Sequence, residues 1–263
     1  MKMPRITIIT PSFNQGRFIE RTIKSVLEQG YPDLEYIVVD GGSTDETLSI
    51  LRRYEGRLQW TSEKDNGQSD AINKGIRMAT GEILAYLNSD DVYEPGALDA
   101  VAEFFAANPS VMWLVGRCSI IDEDDRPMRG FITAYKNFLL DRYSYNILLV
   151  TNCISQPAVF LRSTLFKEHG LFDVNQHRVM DYEYWLRIGA NHNPGILNRY
   201  LSAFRVYSSS KTSSAYRDTF SEELDVGRRY SNSSFLNGLH WLSVVGICGA
   251  YAVLSSLPGR RKG

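Results

Sequence analysis

The chain has 263 residues, 43% of them hydrophobic and 22% charged, a composition that is typical of globular proteins and excludes disorder as the main state. Because 29 basic residues are balanced by 30 acidic ones, the net charge is close to zero, and no overall field attracts nucleic acid. Three cysteines lie far apart, which fits neither a disulfide framework nor a zinc site and favours unpaired thiols in a reducing compartment.

Strand and helix patterns alternate at the start of the chain. Residues 6–10 form a β-branched run, residues 17–29 carry apolar side chains at helical spacing, and residues 34–39 predict a second buried strand. Ser43 and Glu46 have the spacing of a capping box, which predicts that a second helix begins there. Alternation of this kind predicts a parallel sheet with right-handed crossovers, whose loops open at one edge.

The loop after the second strand carries groups that suit a nucleotide. Asp40 offers a carboxylate to a base or a ribose, and the paired glycines Gly41 and Gly42 let a ligand approach the backbone. These glycines do not form the dinucleotide-binding fingerprint, and the sequence has no P-loop pattern. Both absences weaken an interpretation as a dehydrogenase or a kinase.

A further polar loop precedes the stretch with the strongest functional signal. Residues 58–61 predict a short strand, and the loop 63–70 contains Lys64, a candidate cation for a diphosphate. The apolar run 82–87 then ends in the polar sequence NSDD at 88–91. Open α/β sheets bind ligands at the carboxyl ends of strands, and adjacent carboxylates there suit Mg²⁺ or Mn²⁺ shared with substrate phosphates. A solvated turn is the alternative, since Asp, Ser and Asn favour turns.

The second half of the chain has a less regular pattern. Residues 112–121 predict a strand, the acidic segment 122–127 predicts a solvated hairpin loop, and the aromatic-rich stretch 131–150 is expected mainly to pack. Residues 180–187 predict a helix with an acid in its first turn, so Asp181 is interpreted either as a helix cap or as a functional carboxylate. Local sequence leaves both interpretations open.

The C-terminal tail raises the question of membrane contact. Residues 235–257 contain no charged residue, and basic residues flank them on both sides. A single span would leave one basic cluster on the outer side, so the charges favour a helix at the membrane surface over one that crosses it. Packing within the soluble fold is the alternative. The start of the chain lacks a secretory signal, which predicts a cytoplasmic protein.

Several separated motifs, taken in order, resemble those of family 2 glycosyltransferases, which have the GT-A fold. The motifs are TPSFN (10–14), VVDGGSTD (38–45), DNGQSDA (65–71), NSDD (88–91) and DYEYWLR (181–187). Because the resemblance extends over roughly residues 5–212, it is far more specific than any single motif.

The resemblance implies an α/β protein of the GT-A nucleotide-diphospho-sugar transferase fold, with a mostly parallel central sheet and flanking helices. It implies a catalytic domain over 1–212, with a nucleotide-sugar-binding half at 1–110 and an acceptor half at 111–212, followed by a C-terminal helical tail at 213–263. The implied donor is a nucleoside diphosphate sugar bound with Mn²⁺ or Mg²⁺. The implied acceptor is a saccharide or a lipid-linked acceptor in cell-surface polysaccharide assembly, glycosylated with inversion.

Roles for individual residues also follow from the resemblance. Asp181 is expected to be the catalytic base, and Asp91, with Asp90, to hold the metal. Asp40 is expected near the nucleobase and Asp90 near the ribose. The other residues expected to contact the donor are Pro11, Ser12, Asn14, Gly41, Ser43, Lys64, Asp65, Gly67, Gln68, Asp70 and Asn88. Those expected on the acceptor side are Glu183, Trp185 and Gln156, although a tryptophan suits the core equally well.

Two positions depart from the family pattern. Members often place Glu before the catalytic Asp, where this chain has Met180, and often carry a metal-binding His where this chain has Tyr207. A neutral phenol is a much poorer ligand than an imidazole, so water or diphosphate oxygens are expected to complete the metal shell.

Two other functions compete with transfer. A sugar-1-phosphate nucleotidyltransferase of related fold would need a basic, glycine-rich phosphate loop after the first strand, whereas residues 11–16 contain neither Lys nor Arg. The second alternative is a catalytically weak nucleotide-sugar-binding protein. Tyr207 favours this interpretation, because the phenol weakens the expected metal site.

Overall fold

A computed structural model describes the chain over residues 3–207 and 216–256. The strands are β1 (Ile6–Ser12), β2 (Leu34–Asp40), β3 (Gln59–Ser62), β4 (Ile83–Tyr86), β5 (Val92–Tyr93), β6 (Trp113–Ile121), β7 (Val159–Arg162) and β8 (Gly195–Arg205). The helices are α1 (Ile19–Leu27), α2 (Thr47–Arg53), α3 (Gln68–Met78), α4 (Ala97–Ala107), α5 (Gly130–Leu140), α6 (Tyr145–Val150), α7 (Thr164–His169), α8 (Met180–Gly189), α9 (Tyr216–Tyr230) and α10 (Ser234–Ser256).

All eight strands belong to one sheet, in the order β3-β2-β1-β4-β7-β6-β8-β5. Strands β1 to β4 are parallel to their neighbours within that group, and β6 is parallel to β8. The exceptions are β7, which is antiparallel to both β4 and β6, and the short β5, which is antiparallel to β8. The predicted mostly parallel sheet with flanking helices is therefore confirmed, and the loops after β1, β2 and β4 open at one edge.

Helices cover both faces of the sheet at its centre, which explains why β1, β2 and β4 are almost continuously buried rather than alternating. In β1, Ile8 packs into the cluster that contains α1, α2 and α4, whereas its neighbour Ile9 packs into the cluster that contains α3, α6 and α8. Every residue of β1 is buried. This packing fixes the positions of the loops that follow the strands.

The predicted capping box at the start of α2 does not form. The helix begins at Thr47, and Ser43 donates its hydroxyl to Oδ1 of Asp40 over 2.5 Å instead of capping the helix. A buried carboxylate is a stronger acceptor than a neutral group, which explains why the hydroxyl turns toward it. Ser43 therefore stabilises the loop after β2 rather than the helix.

The C-terminal tail forms two helices. His240 of α10 is buried and its ring lies 6.1 Å from that of Tyr182, so one side of this helix packs on the domain. Phe235 and Trp241 of the same helix are exposed. Within 3–207 and 216–256, none of the helices has both the length and the apolar character needed to span a bilayer. The Ser-Lys-Thr segment at 210–212 and the basic residues at 260–262 lie outside the described residues.

Candidate active site

A cavity of about 660 Å³ opens where the loops after β1 and β4 meet α3, α5 and the start of α8. Its volume is in the range of sites that hold a small ligand or a cofactor. Half of the residues predicted from the sequence line it, namely Pro11, Ser12, Asp65, Gly67, Gln68, Asn88, Asp90, Gln156 and Asp181. The remainder lie behind this wall or outside it.

Asn14 and Ser43 join the loops after β1 and β2 instead of lining the cavity. The backbone N–H of Asn14 donates to Oγ of Ser43 over 2.7 Å, and the side-chain oxygen of Asn14 accepts from the backbone N–H of Thr44 over 2.8 Å. Asn14 has a φ of 51°, a left-handed conformation that asparagine tolerates better than most residues. Both residues thus shape the cavity wall from behind.

Asp40 is fully buried beneath the loop that follows β2. The sequence predicted that its carboxylate would lie near a nucleobase. Its Oδ2 accepts hydrogen bonds from the backbone N–H groups of Gly42 and Ser43 and from the hydroxyl of Ser62. Its Oδ1 accepts from the hydroxyl of Ser43. A carboxylate offers about four acceptor positions, so these four bonds occupy it. Asp40 organises the loop in this structure, and the expected contact with a nucleobase stays a prediction.

The loop before α3 is held by Asp65. Its Oδ1 accepts from the backbone N–H of Gly67 over 2.9 Å. A Cβ at Gly41 would lie 2.7 Å from Asp65 Oδ2, so this glycine permits contact with Asp65 rather than with a ligand. Asp70 accepts from the backbone of Asn66 and lies 3.5 Å from Lys74. Gly41 and Asp70 are therefore structural in this arrangement.

Lys64 does not line the cavity, in contrast to its expected role beside a diphosphate. Its side chain is exposed on the loop before α3. Lys74, for which a solvated position was expected, pairs with Glu63 at 2.8 Å.

Asp91 does not line this cavity, and both of its carboxylate oxygens accept hydrogen bonds from the protein. Its side chain is fully buried, Oδ1 accepts from the backbone N–H of Arg205 over 2.9 Å, and Oδ2 accepts from Asn88 over 3.1 Å. Burial and, next, the neighbouring charge of Asp90 raise the pKa of Asp91 well above its ordinary value. Asp91 connects β8 to the loop after β4, and its expected role as a metal ligand stays a prediction.

Asp90 is the carboxylate that faces the cavity. Its Oδ2 accepts a hydrogen bond of 2.9 Å from the phenol of Tyr207. Burial raises the pKa of Asp90, and the hydrogen bond from Tyr207 works in the opposite direction. The nearby donor set consists of carboxylate, amide and phenol oxygens, which fits a hard Mg²⁺ or Mn²⁺ ion that takes its other ligands from phosphate and water.

A second group of metal-ligand side chains is unrelated to this cavity. Ligand atoms of Glu168, His169 and His192 lie within 4.8 Å of one another. Glu168 and His169 belong to α7, which follows the end of β7. The last residue of β7, Arg162, pairs with Ile83 at the start of β4, whereas Asp90 follows the end of β4. This places them at the opposite end of the sheet from Asp90.

Asp181 lies in the first turn of α8 and lines the cavity. Its Oδ1 accepts from the backbone N–H of Tyr182 over 2.8 Å, so it satisfies a helix N–H and also faces the cavity. Burial raises the pKa of Asp181, whereas the positive charge of Lys136 lowers it. An aspartate with a raised pKa is a stronger base when ionised, which suits proton abstraction.

The three residues expected on the acceptor side have different positions. Gln156 lines the cavity and donates to the backbone oxygen of Tyr86 over 2.7 Å. Trp185 is fully buried and stacks on Trp113, with ring centroids 5.7 Å apart. This position agrees with the alternative of a core tryptophan, and the expected acceptor contact stays a prediction.

Glu183 is likewise turned away from the cavity. It is buried, it pairs with Arg187 at 2.5 Å, and it accepts a short hydrogen bond from the hydroxyl of Tyr230 in α9. This network connects α8 to the C-terminal tail. Glu183 has a structural role in this network, and its expected acceptor role stays a prediction.

Four basic residues of the cavity wall, Arg129, Lys136, Arg178 and Arg205, were not identified from the sequence. Arg205 is almost fully buried and donates to the backbone oxygens of Asp90 and Asp122. Lys136 lies in α5, and Arg129 immediately precedes this helix. The spacing of Arg129, Ile132, Thr133 and Lys136 was a usable signal, because it describes one face of a helix.

The profile of Glycosyl transferase family 2 matches residues 7–169, more than half of the 263 residues. The chain belongs to glycosyl transferase family 2. Among curated relatives, the putative teichuronic acid biosynthesis glycosyltransferase TuaG of Bacillus subtilis is 34% identical over 150 residues, which cover 56% of this chain and 59% of TuaG.

Two solved structures extend the likeness of this family 2 glycosyltransferase to the fold. S. aureus TarS in complex with UDP-GlcNAc superimposes with a TM-score of 0.69 at 19% identity, covering 88% of this chain and 67% of that one. The mannosyltransferase PcManGT from Pyrobaculum calidifontis, in complex with GDP-Man and Mn²⁺, gives a TM-score of 0.70 at 22% identity, covering 98% and 78%. The GT-A fold is therefore confirmed.

Proposed function

We propose that this family 2 glycosyltransferase moves a sugar from a nucleoside diphosphate sugar to a hydroxyl group of a saccharide or lipid-linked acceptor, with inversion, in cell-surface polysaccharide assembly. The observation that carries the proposal is that Asp90, in the loop after β4, and Asp181, in α8, line the same cavity. The name of TuaG and the bound nucleotide sugars of TarS and PcManGT support it.

Asp181 is the proposed base. An inverting transfer needs a group that takes the proton of the acceptor hydroxyl as that oxygen attacks the anomeric carbon. Asp181 lies on the side of the cavity that we propose for the acceptor, and its raised pKa makes it a stronger base than an exposed aspartate. In the proposed reaction the bond from the anomeric carbon to the acceptor oxygen forms as the bond to the leaving phosphate breaks, and the proton passes to Asp181.

Asp90 is the proposed metal ligand, with the Tyr207 hydroxyl positioning its carboxylate. A bound Mn²⁺ or Mg²⁺ would supply positive charge for the departing diphosphate. Pro11, Ser12 and Gln68 line the half of the cavity proposed for the nucleotide. Gln68 donates to Asn88 over 2.6 Å, which links this half to the loop that carries Asp90.

We also propose the domain boundaries 1–212 and 213–263 and a cytoplasmic site of action at the membrane surface. The exposed aromatic residues Phe235 and Trp241 of α10 and the nearby basic residues Arg228 and Arg229 support contact with an anionic surface. Co-sedimentation of the full chain with anionic vesicles, compared with neutral ones, tests this part. Equal recovery with both would count against it.

The test of transfer is a panel of UDP-sugars and GDP-sugars, each with Mn²⁺ or with EDTA, and with saccharide and lipid-linked acceptors. We expect one donor to be consumed only with metal, the product to have the inverted anomeric configuration, and Asp181→Asn to abolish transfer while nucleotide binding persists. Unchanged turnover in Asp181→Asn would remove it from the role. Formation of a nucleotide sugar from a sugar 1-phosphate and a nucleoside triphosphate would favour the nucleotidyltransferase instead.

A further inference from the structure

The helix α5 presents two different faces. Arg129, which precedes the helix, and Ile132, Thr133 and Lys136 within it line the cavity, at the i, i+3, i+4, i+7 spacing of one helix face. The side chains of Phe131, Tyr135 and Phe138 alternate with them and are exposed. The inner face therefore brings two cations to the wall of the cavity.

Neither of these two cations forms an ion pair with an acidic side chain in the part of the chain that the structure describes. Arg129 has neither a side-chain hydrogen bond nor an ion pair there, and Nζ of Lys136 contacts only neutral oxygens, of Ile154 at 3.3 Å and of Ser155 at 3.4 Å. The other arginines of the cavity wall differ, since Arg205 pairs with an aspartate at 2.6 Å and Arg178 with one at 3.6 Å.

Arg129 and Lys136 are half-buried, and a cation that loses part of its solvation by burial is stabilised by an anionic partner. The position of α5 indicates which substrate carries the anion. Both cations come from the acceptor half of the domain, and Lys136 acts electrostatically on Asp181, the proposed base. By contrast, Asp90, on the proposed donor side, interacts with Tyr207 and Arg205.

We infer, building on the proposed transferase function, that the inner face of α5 is an anion-binding subsite and that the acceptor carries a negatively charged group close to the hydroxyl that is glycosylated. A guanidinium and an ammonium both bind carboxylate and phosphate, so the shared chemistry is an oxyanion on the saccharide or polyol chain. The source is either a uronic acid carboxylate or a phosphodiester.

The test uses two pairs of fluorescent probes that differ in charge. One pair is an oligogalacturonate and its methyl ester, and the other is an oligo(glycerol phosphate) and an uncharged oligoglycerol. Binding to the full chain, saturated with UDP or GDP and Mn²⁺, is followed by fluorescence anisotropy. We expect at least one charged probe to bind about tenfold more tightly than its neutral counterpart. The pair that shows the preference identifies carboxylate or phosphate as the source.

The variant Arg129→Gln/Lys136→Gln should lose this preference while the neutral probes and the nucleotide bind within about twofold of the wild type. The matched control is Arg52→Gln/Arg57→Gln, which removes two exposed cations of the α2 region that do not line the cavity. Equal binding of charged and neutral probes to the wild type would overturn the inference, as would an equal loss in the control variant.

Nucleotide binding distinguishes failure of the inference from failure of the proposed function. If the double variant loses affinity for UDP or GDP, the two cations serve the donor diphosphate and the inference is wrong, while the transferase proposal stands. If the wild type binds neither nucleotide, both proposals fail.

Discussion

The hydroxyl group of Tyr207 donates a 2.9 Å hydrogen bond to Oδ2 of Asp90, which connects the end of β8 to the loop after β4. The contact makes the phenol a positioning group for the proposed metal ligand. We predict that Tyr207→Phe weakens Mn²⁺ binding about tenfold, since partners that orient a ligand typically contribute this much to metal affinity. Calorimetric titration of Mn²⁺ in the presence of nucleotide measures the change.

Tyr200→Phe is the matched control for this variant. Its hydroxyl accepts from Asn137 over 3.0 Å on an exposed surface, outside the cavity wall. An equal loss of Mn²⁺ affinity in both variants, or none in Tyr207→Phe, would show that the phenol does not orient Asp90.

Substitutions of the adjacent residues Asp90 and Asp91 are predicted to have different effects. Asp90→Asn should abolish metal-dependent nucleotide binding and leave the melting temperature nearly unchanged, because its side chain faces the cavity. Asp91→Ala should lower the free energy of unfolding by about 2 kcal/mol, because it leaves the buried N–H of Arg205 without its acceptor. For a domain of this size that corresponds to roughly 4–8 °C in melting temperature.

Scanning calorimetry and nucleotide titration, carried out on both variants, separate these outcomes. A stable Asp91→Ala variant that binds nucleotide but not metal would restore Asp91 to the metal site. Loss of stability in Asp90→Asn would show that its bond to Tyr207 is structural.

The pH dependence of transfer is predicted to follow Asp181. Its pKa is raised by burial and lowered by the charge of Lys136. As the pH falls through this pKa, Asp181 takes up a proton and the base is lost, so kcat declines on the acid side at a higher pH than an exposed aspartate would cause. Lys136→Gln removes the lowering charge, and the acid limb should move to higher pH.

The measurement is kcat against pH, with the donor and acceptor that the panel identifies held at saturation. Lys74→Gln is the control, because Lys74 pairs with Glu63 and Asp70 outside the cavity wall. An acid limb that stays in place in Lys136→Gln, or moves equally in Lys74→Gln, would contradict the assignment.

The central strands β1, β2 and β4 were predictable from the sequence because they are buried on both faces and therefore form continuous apolar runs, whereas the two-residue β5 was not predicted. The different positions of Asp90 and Asp91 could not be predicted from the sequence. Which of the two faces the cavity depends on Arg205, 114 residues further along the chain, whose backbone N–H binds Asp91. A local motif contains no information about such a contact.

The positions of the side chains in α8 were not predictable for a different physical reason. A surface helix has one apolar face and one polar face, whereas α8 is enclosed nearly all round, with Trp185 in the core and Glu183 satisfied by Arg187 and Tyr230. A charged residue in such a helix resembles a functional group in the sequence until its partners are known. Asp181 faces the cavity because it lies in the first turn.

The Glu183–Arg187 pair provides the last prediction. Arg187→Met leaves a buried carboxylate without its cation, and we expect the free energy of unfolding to fall by about 3 kcal/mol, since breaking a buried pair on one side is strongly destabilising. Tyr230 in α9 also donates to Glu183, so the C-terminal tail should loosen together with α8. Hydrogen exchange of α9 and α10, alongside scanning calorimetry, measures both effects.

The control for this change is Arg126→Met, in which the arginine is exposed and pairs with Asp124 at 3.6 Å. Exposed pairs contribute at most about 1 kcal/mol, so this variant should melt close to the wild type. If Arg187→Met also melts close to the wild type, the buried carboxylate of Glu183 is adequately solvated without Arg187. If exchange in α9 stays slow while the melting temperature falls, the tail is held by contacts other than the bond between Tyr230 and Glu183, such as the packing of His240 against Tyr182.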